Sequence, residues 1–239
     1  MAPPGPLLWN WLIRYQPVTS YLQVHPGRRP VLEVGSGAVG LACLYPHTFI
    51  GCDLDFGHPP HPLMQPVVGS ATRLPFPDRS FPIVVCLDVL EHIPPSQRPA
   101  FLRELLRVAR SRVILAFPSG DAAKSADRRL VSFYRLCRLP EPNWLEEHQK
   151  WPLPSAEELE MQLGHLSLPY LRMGSSVWPL HLLVMILDST PLGPRLAQLA
   201  TRHPRLLLPL LQWLDRRSIL ANTRHFYRLV YYIDKEGSR

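Results

Sequence analysis

Short apolar runs separated by turn residues recur along the chain. Val31, Leu32 and Val34 make a brief buried-strand pattern that stops at a glycine pair. Phe49 to Leu54 repeats the pattern and carries an acid, Asp53, near its end. Phe81 to Leu87 predicts a fourth strand, which should start after Pro82 because proline brings no N–H to a ladder. Arg112 to Phe117 predicts a fifth, stopped by Pro118, and Leu168 to Met173 is a candidate sixth. Arg224 to Ile233, rich in Tyr, Phe, Val and Ile, reads as a closing strand. Between these runs the period becomes helical. Phe101, Leu102, Leu105, Leu106 and Ala109 share one face of Ser96 to Arg110, and residues 122–138 space Leu130, Phe133, Tyr134 and Cys137 in the same way. Ser155 and Glu158 form a Ser-x-x-Glu capping box for a further helix. Strands alternating with helices predict an α/β fold with a mostly parallel sheet and helices on both faces.

Residues 175–222 break that alternation. Trp178 to Leu187 and Leu206 to Leu214 are strongly apolar but interrupted by Pro191, Pro194, Pro204 and Pro209. Each is about ten residues, half of the ~20 that a membrane span needs. Two arrangements are open: helices packed on one another and on the sheet edge, or a helical cap over a site that takes an apolar or amphipathic acceptor or touches a membrane surface. Under the second, Arg172, Arg195 and Arg202 would stand beside the mouth of the site.

The chemistry concentrates at Glu33-Val-Gly35-Ser36-Gly37-Ala-Val-Gly40. Gly35 and Gly37 allow a sharp turn and close approach to a ligand. A helix expected after them, with Gly40 inside it, would present free N–H groups to an anion. Gly-x-Gly-x-x-Gly is shared by many nucleotide binders. Glu33 discriminates, because a carboxylate there would repel a dinucleotide pyrophosphate and suit the ammonium and sulfonium charges of S-adenosylmethionine. Asp53, 18 residues after Gly35, stands where a ribose-binding acid is expected in either case.

Downstream come Gly69-Ser70-Ala71-Thr72-Arg73-Leu74-Pro75-Phe76 and, after the fourth strand, Asp88-Val89-Leu90-Glu91-His92. In this order and spacing, residues 30–120 resemble the class I S-adenosylmethionine-dependent methyltransferases, nearest to the small-molecule branch of the quinone-biosynthesis enzymes. The resemblance implies a Rossmann-like sheet of seven strands, the last antiparallel and inserted between the fifth and sixth, with a helical insertion before it. One methyltransferase domain would then span 1–239: a cofactor half at 30–120, a substrate half at 121–225 and the closing strand at 226–233. It further implies that Glu33, Gly35, Ser36 and Gly37 form the methionine pocket, that Asp53 with Leu54 binds the ribose, that Ser70 and Ala71 flank the adenine, and that Leu87 lines the transfer site. Ser70 departs from the family's usual Asp, and Phe81-Pro82 from its Phe-Asp. His148, in Glu146-Glu147-His148, is the candidate general base, with His92 a second candidate near the acceptor.

The remaining composition narrows the classes. With 239 residues, 46% of them hydrophobic, one domain with a substantial core is expected. The net charge of +7 invites a nucleic-acid partner. The basic residues are scattered, however, as in Arg128-Arg129 and Arg216-Arg217, with no aromatic stacking platform among them, and a small-molecule acceptor is preferred. Cys43, Cys52, Cys86 and Cys137 read as buried, reduced thiols, and His58-Pro-Pro-His61 as a loop, so no metal is expected. No signal peptide is evident, which predicts a cytoplasmic chain. A noncatalytic methyltransferase-like partner and a nicotinamide-dependent oxidoreductase are the alternatives; oligomeric state is not legible.

Overall fold

The computed structural model describes residues 8–27, 29–202 and 225–235. Seven strands form one sheet in the order β3-β2-β1-β4-β5-β7-β6. They are β1 (Val31–Val34), β2 (Phe49–Asp53), β3 (Met64–Val68), β4 (Phe81–Leu87), β5 (Ala109–Pro118), β6 (Tyr170–Val177) and β7 (Phe226–Asp234). The first five run parallel, and β7 lies antiparallel to both β5 and β6. The expected α/β architecture and the inserted closing strand are therefore both present. β1 and β4 are buried along their whole length, as strands covered on both faces must be.

Helices α1 (Trp9–Val24), α2 (Arg98–Val108), α3 (Gly120–Leu136), α4 (Asn143–Lys150), α5 (Ala156–His165), α6 (Trp178–Asp188) and α7 (Leu192–Arg202) surround the sheet. On one face Phe101, Leu102 and Leu105 of α2 and Leu159 and Leu163 of α5 pack against β1, β4 and β5. On the other, Tyr15, Val18 and Leu22 of α1 cover Val31, Ile83 and Val85. The loop carrying Leu74-Pro75-Phe76 is pinned to α2. Arg107 donates to the carbonyls of Leu74 (3.0 Å) and Phe76 (2.8 Å), and Glu104 accepts from Leu74 N at 2.7 Å.

Several expectations need correction. No α-helix follows β1; a four-residue 3-10 turn, Gly40–Cys43, stands there. Gly40 sits at φ +50, and Pro46 follows closely, so this stretch cannot propagate a helix. The layer that such a helix would supply comes from α1, before β1. β3 is an edge strand whose Gln65 and Pro66 hide its pattern. β4 begins at Phe81 rather than after Pro82, because the register shifts between Phe81 and Ile83 and the bulge absorbs the proline. Cys137 is exposed at the end of α3, not buried, and all four cysteines are free. The Ser155 hydroxyl accepts from Glu158 N (3.1 Å), but the Glu158 carboxylate turns to Arg98 instead of closing the box.

β6 runs on to Val177, so the helical insertion starts at Trp178. Its first helix is at once core and wall: α6 packs on α3 and α1, and its His181 and Met185 are buried and face the cavity described below. Leu206 to Leu214 lies outside the described residues. No helix among them is long and apolar enough to cross a membrane. At the end of α6, Asp188 accepts from Trp9 N (3.0 Å) and Asn10 N (2.9 Å), taking the place of the side-chain cap that Leu8 cannot give α1. Asp188→Ala is expected to lower the unfolding free energy by about 1–2 kcal/mol in denaturant titration; Asp188→Asn should recover part of that loss.

Candidate active site

At the carboxyl end of β1 the chain turns through Gly35 (φ +77) and Gly37 (φ +52). The two glycines serve different purposes. A Cβ on Gly35 would strike Val89 Cγ2 at 2.1 Å, so this position permits close packing of the turn on the segment after β4. A Cβ on Gly37 would meet nothing within 4 Å; it would project into open space, as a ligand cradle requires. Asp53, at the tip of β2, accepts from Gly37 N (2.8 Å) and Leu54 N (2.7 Å), which fixes its carboxylate beside the turn. An ionised carboxylate has about four lone-pair positions, so two remain for ligand hydroxyls.

Glu33 does not reach the surface of the cavity. It is fully buried beneath the turn, accepting from the Tyr15 hydroxyl (2.6 Å) and Leu41 N (2.7 Å). An N–H at the start of the 3-10 turn is thus satisfied from below by the protein itself. Burial pushes the Glu33 carboxyl up to about 7, against the opposing pull of Tyr15, Leu41 and Arg14.

Beyond β4, Asp88 sits at φ +54 and is gripped by Arg228 through Nε (2.6 Å) and Nη2, with Arg14 Nη1 at 3.3 Å. Burial opposes its ionisation, but Arg228 and then Arg14 outweigh it and hold Asp88 at about 2. Arg228 is 1% exposed and stands opposite Pro118, the last residue of β5. One turn further along, Glu91 is buried, with Oε2 unpartnered and Oε1 3.9 Å from His148 Nε2. Burial, then the charge of Asp88, drives the Glu91 carboxyl well above its ordinary range. His148 Nδ1 is 2.9 Å from Asp127 Oδ2, and Asp127 Oδ1 accepts from the Tyr227 hydroxyl at 3.0 Å. His92 makes an ion-pair contact through Nδ1 with Glu147 at 2.6 Å; burial, then His148, lowers its pKa.

These groups surround a cavity of about 470 Å³ outside the carboxyl ends of β1, β2 and β4, within the range of small-molecule sites. Of the residues expected from sequence, Gly35, Ser36, Gly37, Asp53, His92 and His148 line it. Leu87 is buried in the core, and Glu33 lies below the floor. Leu54 is exposed just past Asp53. Ser70 and Ala71 form the turn after β3, which Gly69 N ties to the Asp53 carbonyl at 2.9 Å; Ser70 Oγ is engaged by Thr72. Arg172 pairs with Glu160 away from the cavity, and Arg195 is exposed. Arg14, Asp127, His181, Tyr227 and Arg228 escaped sequence reading. Glu91, His92 and His148 each offer a ligand atom within 4.8 Å of the others, a set that could hold a cation although none was expected.

Residues 32–117 match the methyltransferase domain family. Among solved structures, the fold is similar to that of a magnesium protoporphyrin IX methyltransferase from Synechocystis PCC 6803 with bound SAH, at TM-score 0.52, 14% identity and coverage of 97% of this chain and 90% of that one. It is similar also to a SAM-dependent methyltransferase from Archaeoglobus fulgidus, at TM-score 0.50, 16% identity and 92% and 94% coverage. A phosphoethanolamine N-methyltransferase 2 from Haemonchus contortus, in complex with phosphomonomethylethanolamine and S-adenosylhomocysteine, matches at TM-score 0.52, 11% identity and 91% and 52% coverage. At these identities the likeness is one of fold. No curated protein sequence matches the chain.

The state of Glu33 yields a signed prediction. Its unfolded-state value is the ordinary 4.5, below the folded value of about 7. Below pH 4.5 both states hold the proton and Glu33 contributes nothing. As pH rises towards 7 the unfolded chain releases it first, so the folded state loses stability, and the deficit is complete above that. Between pH 4 and pH 8, wild type should therefore lose about 3 kcal/mol relative to Glu33→Gln in denaturant unfolding. Parallel pH profiles for the two proteins would refute this.

Proposed function

We propose that this chain, which carries a methyltransferase domain and the class I S-adenosylmethionine-dependent methyltransferase fold, transfers the cofactor's methyl group to a small-molecule acceptor bound between β4, α4 and α6. One observation carries the reading. The open space over Gly37 and the half-satisfied Asp53 carboxylate share a single cavity with a histidine already aligned by an acid.

The residues present fit S-adenosylmethionine. Asp53 would take the ribose hydroxyls, and the Gly35–Gly37 turn would receive the methionine portion. The cofactor supplies an electrophilic methyl on a sulfonium, with a thioether as leaving group. The protein's task is to orient the acceptor, exclude water and accept a proton. Positioning alone can supply roughly 7–11 kcal/mol. His148 is the proton acceptor in this reading. Asp127 fixes the tautomer with the proton on Nδ1, which leaves the Nε2 lone pair available. Tyr227 in turn holds Asp127, so the imidazole has a set orientation before the acceptor arrives. The four free cysteines suit a reducing, cytoplasmic setting.

The unpartnered Oε2 of Glu91 favours a second reading, in which Glu91, His92 and His148 hold a divalent cation that binds the acceptor oxygen. His148 is held through Nδ1 by Asp127, as a metal-ligating histidine is, and His92 Nδ1 stands 2.6 Å from Glu147.

Calorimetry with S-adenosylhomocysteine and with NAD, followed by labelled-methyl transfer over a panel of small hydroxy, amino and phenolic acceptors, tests the proposal. S-adenosylhomocysteine should bind and NAD should not. Asp53→Ala should weaken the former at least about tenfold, and wild-type affinity in that variant would sink the cofactor assignment. On any acceptor found, His148→Gln should cut kcat by about 10²–10⁴-fold while cofactor affinity holds. Loss of turnover after chelation, restored by Mn²⁺ or Mg²⁺, would select the cation reading instead.

A further inference from the structure

Arg14 Nε, Glu91 Oε2 and His92 Nδ1 have no hydrogen-bond partner beside the cavity, and neither does one atom each of Arg228 and His181, where the closing strand meets α6. Arg228 spends Nε and Nη2 on Asp88, and its Nη1 is unpaired although the residue is 1% exposed. His181, on α6, is 4% exposed with its Nε2 unpaired. Its ring stacks on Tyr227, the neighbour of Arg228 in sequence, with centroids 3.5 Å apart and planes 14° from parallel. Leaving such groups unmatched is expensive; Arg228 Nη1 donates, and His181 Nε2 donates in the tautomer that carries its proton there, so paired acceptors from a ligand would relieve both.

The charge around Asp88 points the same way. Two guanidiniums, Arg14 and Arg228, face this one ionised carboxylate, an excess of one positive charge. His181, driven towards its neutral form by burial and then by Arg228, adds a hydrogen-bonding edge without adding charge. The cavity walls beside these groups are apolar: Trp11, Trp144 and Met185.

We propose that Arg228 and His181 form an oxyanion subsite for the acceptor, whose substrate is therefore a small amphipathic acid with its apolar body against Trp144 and Met185. This rests on the methyl-transfer reading and names its substrate class. The acid group would sit on the guanidinium edge of Arg228 left free by Asp88, where planar charge-assisted pairing is strongest. A cation for the acidic part of the acceptor thus comes from the closing strand, not from Arg172 or Arg195; the side chain of Arg202 lies outside the described residues.

Calorimetry on the full chain saturated with S-adenosylhomocysteine tests it, using benzoate, phenyl phosphate and neutral benzamide as probes. Benzoate or phenyl phosphate should bind at least about tenfold more tightly than benzamide, and whichever anion is preferred identifies the acid as carboxylate or phosphate. Arg228→Lys keeps a positive charge opposite Asp88 but loses the fork. His181→Phe keeps the stack on Tyr227 but loses Nε2. Each should remove most of the preference while leaving S-adenosylhomocysteine affinity within about twofold; if Arg228→Lys does not fold, His181→Phe alone decides. Equal or absent binding of all three probes to cofactor-loaded protein overturns the proposal. So does a tenfold loss of S-adenosylhomocysteine affinity in Arg228→Lys, which would assign the guanidinium to the cofactor's own carboxylate. Failure of the wild-type chain to bind S-adenosylhomocysteine would instead overturn the methyl-transfer reading, and this inference with it.

Discussion

The grip of Arg228 and Arg14 on Asp88 is the interaction on which the arrangement of the site depends. It joins the end of β4, the first residues of the antiparallel β7 and the N-terminal helix α1 at one buried point. None of these charges could be left alone there, since removing one member of a buried pair costs roughly 3–5 kcal/mol. The constraint also explains the backbone at Asp88. A non-glycine residue at φ +54 is uncommon, and here it is held by two side chains and by its own N–H on the Ala116 carbonyl at 2.9 Å.

From that anchor the rest of the site follows by short steps. Fixing Asp88 sets the direction of the turn that carries Glu91 and His92 towards α4, where His148 meets them. The same strand residue pair, Tyr227 and Arg228, reaches in two directions: Tyr227 to Asp127 and so to His148, Arg228 to Asp88. α6 closes the chamber by laying His181 on Tyr227. Six separate elements, α1, β4, α3, α4, α6 and β7, therefore set one imidazole and one guanidinium. Groups held in this way before the ligand arrives do not have to be ordered by it.

The cofactor end is built differently, mainly from backbone. Gly35 is required by the contact with Val89, Gly37 by open space, and Asp53 by two main-chain donors. Glu33 supports this end from beneath, bridging α1 and the 3-10 turn, so the acid that discriminates the motif acts as its foundation. Its raised pKa reflects a carboxyl that has exchanged water for two hydrogen bonds.

Sequence alone determined what depends on local pattern: every strand apart from β3, the closing strand included, the helices α2, α3 and α5, the glycine turn and the acid at the tip of β2. These are encoded in period, turn chemistry and short spacing, all of which survive without knowledge of distant neighbours. β3 was masked by Pro66, and α1 by Pro17 in its interior and by apolar residues that do not keep to one face. Only the tertiary structure decided the rest. His148 resembles any helical histidine until Asp127 and Glu91, 21 and 57 positions away, are brought to it. Arg228 reads as one charge within an apolar strand until Asp88, 140 residues earlier, explains how a buried guanidinium is tolerated. The physical reason is the same in each case. Hydrophobic period is a property of neighbouring residues, whereas a buried charge is defined by its partner, and the fold alone chooses that partner.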